Sequence, residues 1–419
     1  AGYEVEREFY INDAGNQIEK FGLSLDIRYQ QIYKGEDAVE LPEDSYHGED
    51  IKERAQQFAD VYGDEYIDKN EDERRKALVE FALPKNIENM KANMAKYRIE
   101  YKTWFKESLL HDSGAVKEVI EYLTNKGLTY EKDGAVWYNN IKVQTEMLTR
   151  QGKTQEEIDK LELKDDVLIR QNGNPTYFAA DIAYHKNKLV TRGFDKAINI
   201  WGADHHGHVA RMKGVLEALD LDSDRLDVIL MQLVRLTRDG EVVRMSKRTG
   251  KAITLVDLLE DIPVDAVRFL FNMREPGSQM DFDLDLAVEQ SSQNPVYYCQ
   301  YANARIHSIL RKVEADGVTV RDCTKDELKL LTAPEEIELI RHLASLTDEI
   351  VNSAKNYDPA KITRYCIDLA TLFHKFYNAC RVAVEDEALM QARLYLCTCV
   401  MNVITNILTT FSISTPESM

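Results

Sequence analysis

Three stretches of this chain gather side chains able to do chemistry. Glu241 to Lys251 reads E-V-V-R-M-S-K-R-T-G-K and sets a hydroxyl, Ser246, among the cations Arg244, Lys247 and Arg248. A polar loop of that charge density can answer the negative charge that develops on a triphosphate. Arg238-Asp239-Gly240 just upstream has turn chemistry, so a solvated hairpin tip is an equal reading of the same residues.

The second stretch, Gly202-Ala203-Asp204-His205-His206-Gly207-His208, follows an apolar run from Ala197 to Trp201 that suits a short buried strand. A glycine at such a strand end lets a ligand approach the backbone, and an aspartate there can accept both hydroxyls of a ribose. His208 would reach back from the first helical turn. The same letters also allow a metal site, since histidine and aspartate are ligand types, and solvated residues at a strand–helix junction are the plain alternative. The third stretch holds Tyr177 and Asp181, spaced i, i+4 on one helix face. A phenol and a carboxylate suit a cationic head group, and an ordinary surface pair fits the spacing equally.

These groups need a scaffold. Tyr3 to Ile11 predicts a strand, and Asn12 to Asn16 a turn into a helix near Gln17. Residues from about 22 to 165 are rich in Lys, Glu and Tyr and read as a helical insertion. Its helical stretches are Glu71 to Lys106 and Ala115 to Asn125, with a polar helical span from Gln151 to Leu163. The sheet is expected to resume at Val167 to Arg170. A helix over Thr176 to Lys188, the strand ending at Trp201, a helix over His206 to Leu219 and a strand over Val228 to Leu236 then follow. Strands alternating with helices predict an open α/β sheet with ligands beyond its carboxyl ends. From Asn294 onward four long amphipathic spans, 296–313, 334–353, 360–383 and 388–411, predict an all-helical bundle. The expected domains are therefore 1–288 and 289–419.

At 419 residues, 44% hydrophobic and 30% charged, the chain has ample material for two or three cores. No long uninterrupted apolar run predicts a membrane span. A net charge of −19 argues against a generic nucleic-acid binder, though not against a local groove. Residues 289–419 are nearer neutrality, with 17 acidic and 13 basic side chains. All six cysteines, Cys299, Cys323, Cys366, Cys380, Cys397 and Cys399, lie there without zinc-type pairing. They are expected to be free thiols, which suits a cytoplasmic protein.

Taken together, Thr176 to His185, Gly202 to Gly207, Met245-Ser246-Lys247-Arg248, Asp281-Phe282-Asp283-Leu284-Asp285 and Asn294 to Ala302 resemble arginyl-tRNA synthetases of bacterial type. Phe9 to Gln17 and the ending Pro416 to Met419 extend the resemblance over the whole chain. It implies a class I synthetase Rossmann-like parallel sheet, incomplete here, with a helical insertion and an all-α anticodon-binding bundle. The implied reaction is ATP-dependent formation of arginyl-adenylate and transfer of arginine to tRNA(Arg). On this resemblance Lys247 stabilises the β- and γ-phosphates while Ser246 and Arg244 order the loop. Gly202, Asp204 and His208 seat ATP, and Tyr177, Asp181 and His205 hold arginine. Tyr298, Tyr301, Tyr377 and Met419 contact tRNA. Magnesium arrives with ATP, no zinc is implied, and a cytoplasmic monomer without membrane attachment is expected.

His205-His206-Gly207-His208 also fits the letters His-x-Gly-His of that family. It stands only about 40 residues before Ser246, where the family's second half-fold belongs, and is read as a coincidence. On the resemblance, the family's own His-x-Gly-His element is expected ahead of Phe9 and is not found in these 419 residues, which alone are expected not to form the adenylate at a useful rate. Two rival readings remain at this stage: a non-catalytic tRNA-binding relative, and a DHH-type phosphoesterase with a metal on Asp204, His205 and His206.

Overall fold

In a computed structural model the structure describes residues 2–244 and 253–419. Met245 to Ala252, which include Ser246 and Lys247, lie outside the described residues. The chain forms two compact units. One comprises Ala1–Ala95, Ile99–Ile200 and Asp204–Val228, the other Lys96–Arg98, Trp201–Ala203 and Ile229–Met419.

In the first unit β1 (Glu8–Ile11) pairs in parallel with β2 (Thr103–Lys106). The strand expected from Tyr3 is thus shorter, with Tyr3 and Val5 exposed ahead of it. Residues 22–165 are helical in large part, but they also carry β2, β3 (Thr129–Lys132) and β4 (Ala135–Tyr138). β3, β4 and β5 (Asp166–Ile169) make an antiparallel meander. The sheet expected to resume at Val167 is therefore a different one. Its hairpin turns on Asp133 and Gly134, both at positive φ, the Asp-Gly combination whose twist matches paired strands.

Three helices, Asn16–Lys34, Glu49–Tyr62 and Glu71–Lys96, enclose a core of Leu25, Tyr29, Ala55, Phe58, Leu78 and Ala82. Asp26 is buried inside that packing and answered by two arginines of the third helix. Arg74 grips it with Nε and with Nη2 at 3.2 Å, and Arg75 Nε lies 3.3 Å away. Burial of a carboxylate is tolerable only with such pairing.

Strands β6 (Ala197–Gly202) and β7 (Leu226–Met231), which begin among the residues of the first unit and end among those of the second, pair with each other. The run Ala197 to Trp201 is not buried through. Ala197 points inward, while Ile198 and Ile200 are 49% and 68% exposed, because alternate side chains of a strand face opposite ways.

In the second unit the apolar span expected as one strand from Val228 to Leu236 divides into β7 and β8 (Val234–Arg238). β8 is central between β9 (Glu241–Val243), antiparallel, and β10 (Met280–Asp283), parallel. The helices Pro295–Ala315, Pro334–Ala344, Leu346–Asn356, Ala360–Ala379 and Glu387–Thr410 follow. The expected second span is broken near Ser345 into two helices. One core joins Phe269 and Phe282 to Cys299, Phe373, Phe376 and Val400. Glu387–Thr410 is long and apolar enough to cross a membrane by length and composition, but Leu394, Cys397, Val400 and Ile404 are packed inside this core. All six cysteines are free thiols.

Removing Asp26 would strand Arg74 in the helical core. Asp26→Ala is expected to lower stability by about 3–5 kcal/mol, read as a shifted urea unfolding midpoint. A midpoint unchanged from wild type would show that the pair is dispensable.

Candidate active site

The local fold sets out the Tyr177 and Asp181 pair through a helix start. Thr176 caps the helix Tyr177–Lys186, accepting from the Ala179 amide, while its hydroxyl donates to the Val167 carbonyl at 2.7 Å. The helix therefore begins at the end of β5, with Tyr177 in its first turn and Asp181 one turn on. Tyr177 is 43% exposed. Its ring stands close to Gly15, where a Cβ would come within 3.7 Å of it. Gly15 sits at φ +70°, a conformation that disfavours any side chain.

Asp181 is the electrostatic centre. His208 Nε2 lies 2.7 Å from its Oδ2, and His185 Nδ1 lies 3.4 Å from Oδ1 and 2.8 Å from the Asp181 carbonyl. Burial opposes ionisation of Asp181, but the imidazoles of His185 and His208 outweigh it and hold the carboxyl well below the usual aspartate range. The side chain is still 28% exposed, so an anion is presented rather than sealed in.

His208 reaches Asp181 because β6 ends at Gly202, a 3₁₀ turn covers Ala203–His205, and the helix His206–Ala218 starts at once. Its ring meets Phe178 edge-on at 5.7 Å. Arg211 from the next turn bonds Asp166 of β5 at 2.6 Å, fixing the two helices around the same point. Of the residues expected to seat ATP, the structure thus sets His208 on the expected arginine-binding carboxylate. Asp204 and His205 are exposed neighbours, with His205 Nε2 3.6 Å from Asp204 Oδ2. Among the described residues no group of three His, Cys, Asp or Glu is arranged to hold a metal ion. The set Asp204, His205 and His206 needed for metal-dependent phosphoester chemistry is therefore not assembled.

Sequence spacing missed the second layer around Asp181. His185, Lys188 and Asn199 form a linked polar row behind it. His185 lies i, i+4 from Asp181, so the same spacing rule that singled out Tyr177 could have found it.

In the second unit, β8 and β9 join through Asp239 and Gly240, both at positive φ. The Asp239 amide donates to Asp285 at 2.6 Å. The turn predicted at Arg238 to Gly240 is thus a hairpin tip, and the cationic stretch lies beyond its second strand rather than in the tip. Arg244 leaves β9 exposed.

Tyr298, Tyr301 and Tyr377 belong to one aromatic cluster. His374 stands 4.9 Å from the Tyr298 ring and 5.8 Å from that of Tyr301. The Arg305 guanidinium lies 4.9 Å from the rings of both Tyr301 and Tyr377 and donates to the Tyr301 hydroxyl. Burial and then the Arg305 charge pull His374 below the ordinary imidazole value. Met419 is 50% exposed. Arg305 and His374 were not legible as part of this cluster, although Arg305 is again i, i+4 from Tyr301.

Comparison with known proteins adds a second line. A family model described as the DALR anticodon binding domain matches residues 299–419. The arginine–tRNA ligase of Caldanaerobacter subterraneus is 55% identical over 419 residues, covering all of this chain and 71% of that protein. That of Ruminiclostridium cellulolyticum is 52% identical with the same coverage. The crystal structure of a Campylobacter jejuni protein assigned as an arginyl-tRNA synthetase superposes with a TM-score of 0.84 at 33% identity. It covers all of this chain and 86% of that one.

Proposed function

This chain belongs to the arginine–tRNA ligase family of class I aminoacyl-tRNA synthetases, and on that premise we propose which of its residues carry the reaction. The reaction is ATP-dependent activation of L-arginine to arginyl-adenylate, then transfer to tRNA(Arg). Asp181 takes the guanidinium of arginine, with Tyr177 and His205 beside it. The observation that carries this is the partly exposed Asp181 carboxyl with an imidazole on each side, His208 Nε2 at 2.7 Å from Oδ2 and His185 Nδ1 at 3.4 Å from Oδ1. A planar cation with paired N–H donors is the natural complement of such a group.

Gly202 and Asp204 seat the adenosine, and His208 links that element to the arginine carboxylate. Lys247, with Ser246 and Arg244, offsets charge on the β- and γ-phosphates. Magnesium comes as part of the nucleotide substrate. Catalysis then rests on orientation and charge stabilisation rather than on a side-chain nucleophile. Residues 1–288 form the catalytic domain and 289–419 the anticodon-binding domain, a division supported by the family match over 299–419. Tyr298, Tyr301, Tyr377 and Met419 contact the tRNA, since aromatic faces hold unpaired bases without needing a strongly basic surface. The protein works in the cytoplasm as a monomer, and its six free thiols suit that reducing compartment.

Two measurements separate these assignments. Asp181→Asn keeps the shape and removes the charge, so calorimetric titration should find arginine bound at least about 30-fold more weakly, the lower end for a lost charge partner. Unchanged affinity would remove Asp181 from the arginine site. Tyr298→Ala should weaken tRNA(Arg) binding in gel shifts by about 1–3 kcal/mol, with Tyr298→Phe near wild type. Equal binding by all three proteins would dismiss the stacking role.

A further inference from the structure

The polar row behind Asp181 has a direction. Lys188, His185 and Asp181 belong to one continuous stretch, but Lys188 lies in a π-helical turn, Asn187–Thr191, that follows the helix Tyr177–Lys186. Such turns are rare and recur at functional sites. The turn sends Lys188 into the interior, where it is buried with its Nζ 2.8 Å from Asn199 Oδ1 on β6. Asn199 Nδ2 lies 2.6 Å from His185 Nε2. His185, fully buried, presents Nδ1 to the two Asp181 oxygens already described.

Donor chemistry fixes every proton in the row. An ammonium can only donate, so Asn199 must face Lys188 with its carbonyl oxygen. Its amide NH₂ is then turned to His185, and that group has only hydrogens to offer there. Nε2 must therefore be a lone pair, and the one ring proton sits on Nδ1, where the Asp181 oxygens accept it. A second proton on His185 would set N–H against N–H.

We propose that Asn199 and Lys188 are positioning residues that hold His185 as its neutral Nδ1–H tautomer, so that the Asp181 charge stays available to the substrate guanidinium. The proposal rests on the reading of Asp181 as the arginine-binding carboxylate. A buried imidazolium at His185 would pair with Asp181 and compete with the substrate for the same charge. The row supplies orientation and hydrogen bonding to Asp181 without that competing cation.

The surroundings act in the same sense. Burial, then the nearby Lys188 charge, pull His185 below the ordinary imidazole value, against an opposite pull from Asp181. Burial also brings Lys188 down to about 8, with Arg192 assisting and Asp181 and Glu8 opposing. Lys188 thus remains an ammonium at neutral pH. The other groups facing the row are the Tyr184 ring, 4.2 Å from Lys188 Nζ, and Glu8 on β1, which bonds Tyr184 and Arg192. Tyr10 of β1 packs on Tyr184 with ring centroids 4.5 Å apart, and His208 bonds Asp181 from the other side. Burial and the Glu107 and Asp181 charges keep Tyr10 protonated.

The test combines nitrogen-15 NMR of His185 with calorimetric titration of arginine into the same protein. In wild type, His185 should be the neutral Nδ1–H form from pH 6.5 to 7, where Lys188 is still an ammonium. Asn199→Asp replaces a donor by an acceptor at Nε2, so His185 should gain its second proton within that range. Arginine affinity should then fall about tenfold at pH 6.5, the effect of one pKa unit of competing charge, and the loss should shrink toward pH 9. Lys188→Met removes the group that orients the amide, so the amide can turn its oxygen to Nε2. With the Asp181 oxygens still at Nδ1, His185 should again take up its second proton, and this variant decides the matter if Asn199→Asp does not fold. Wild-type His185 found as Nε2–H or as imidazolium at pH 7 would overturn the proposal. So would an affinity loss in Asn199→Asp that is equal at every pH with the tautomer unchanged. Wild type that fails to bind arginine while His185 is Nδ1–H would sink the arginine reading and the substrate clause with it, a result the ligand-free NMR keeps distinct.

Discussion

A carboxylate largely withdrawn from water keeps its charge only where donors meet it, and the first unit is arranged around that demand at Asp181. Two imidazoles from successive helices close on one side chain. Everything that sets those helices contributes: the Thr176 cap against β5, the Arg211–Asp166 pair, and the 3₁₀ turn that starts the helix bearing His208. The same point is reached from behind through Lys188, Asn199 and His185. The energetic risk is high, because a partly satisfied buried network costs more than an apolar core. The return is a fixed anion whose geometry does not have to be assembled when a cation arrives.

The second unit uses a different physical device. Its aromatic cluster of Tyr298, Tyr301, Tyr377 and His374 is held by a single arginine, Arg305, lying against two of the rings. Cation–π contact adds attraction and stiffness where few cations are present. That suits a domain whose charge is near balance and whose proposed partner is a polyanion: recognition would come from flat faces rather than from a broad basic field. The His374 Nε2 atom is buried and has no hydrogen-bond partner among the described residues. The β8–β9 hairpin plays a simpler role. Its positive-φ turn and the Asp239–Asp285 bond fix the strand from which Arg244 leads into the cationic stretch.

Much of this was legible in the residues. Alternating strands and helices gave way to a helical tail, and the helix starts at Asn16, Tyr177 and His206 fall within a residue or so of their sequence signals. The misses have common causes. Thr103–Lys106 is a four-residue strand at the end of a long polar helical region, too short for periodicity to register. The β3–β4 hairpin did carry a signal, Asp133-Gly134, but it was hidden by the charged composition around it. Ile198 and Ile200 read as core because apolar runs do not reveal which face of a strand is covered. At the site, helix spacing found Tyr177 with Asp181. The Lys188–Asn199 bond joins a π turn to a strand, and no local period predicts such a pairing. His208 was expected near a ribose, and its bond to Asp181 depends on how two helices meet, which spacing does not encode.

The central claim is that Asp181 is a standing anion. Carbon-13 NMR of its carboxyl, followed as pH is lowered, reads that directly. Because its folded-state value is depressed, the stability it contributes is present above the ordinary aspartate range and lost as pH falls through the folded value. The carboxyl should still be ionised well below the range at which exposed aspartates protonate. A carboxyl that protonates within or above that range would contradict the claim.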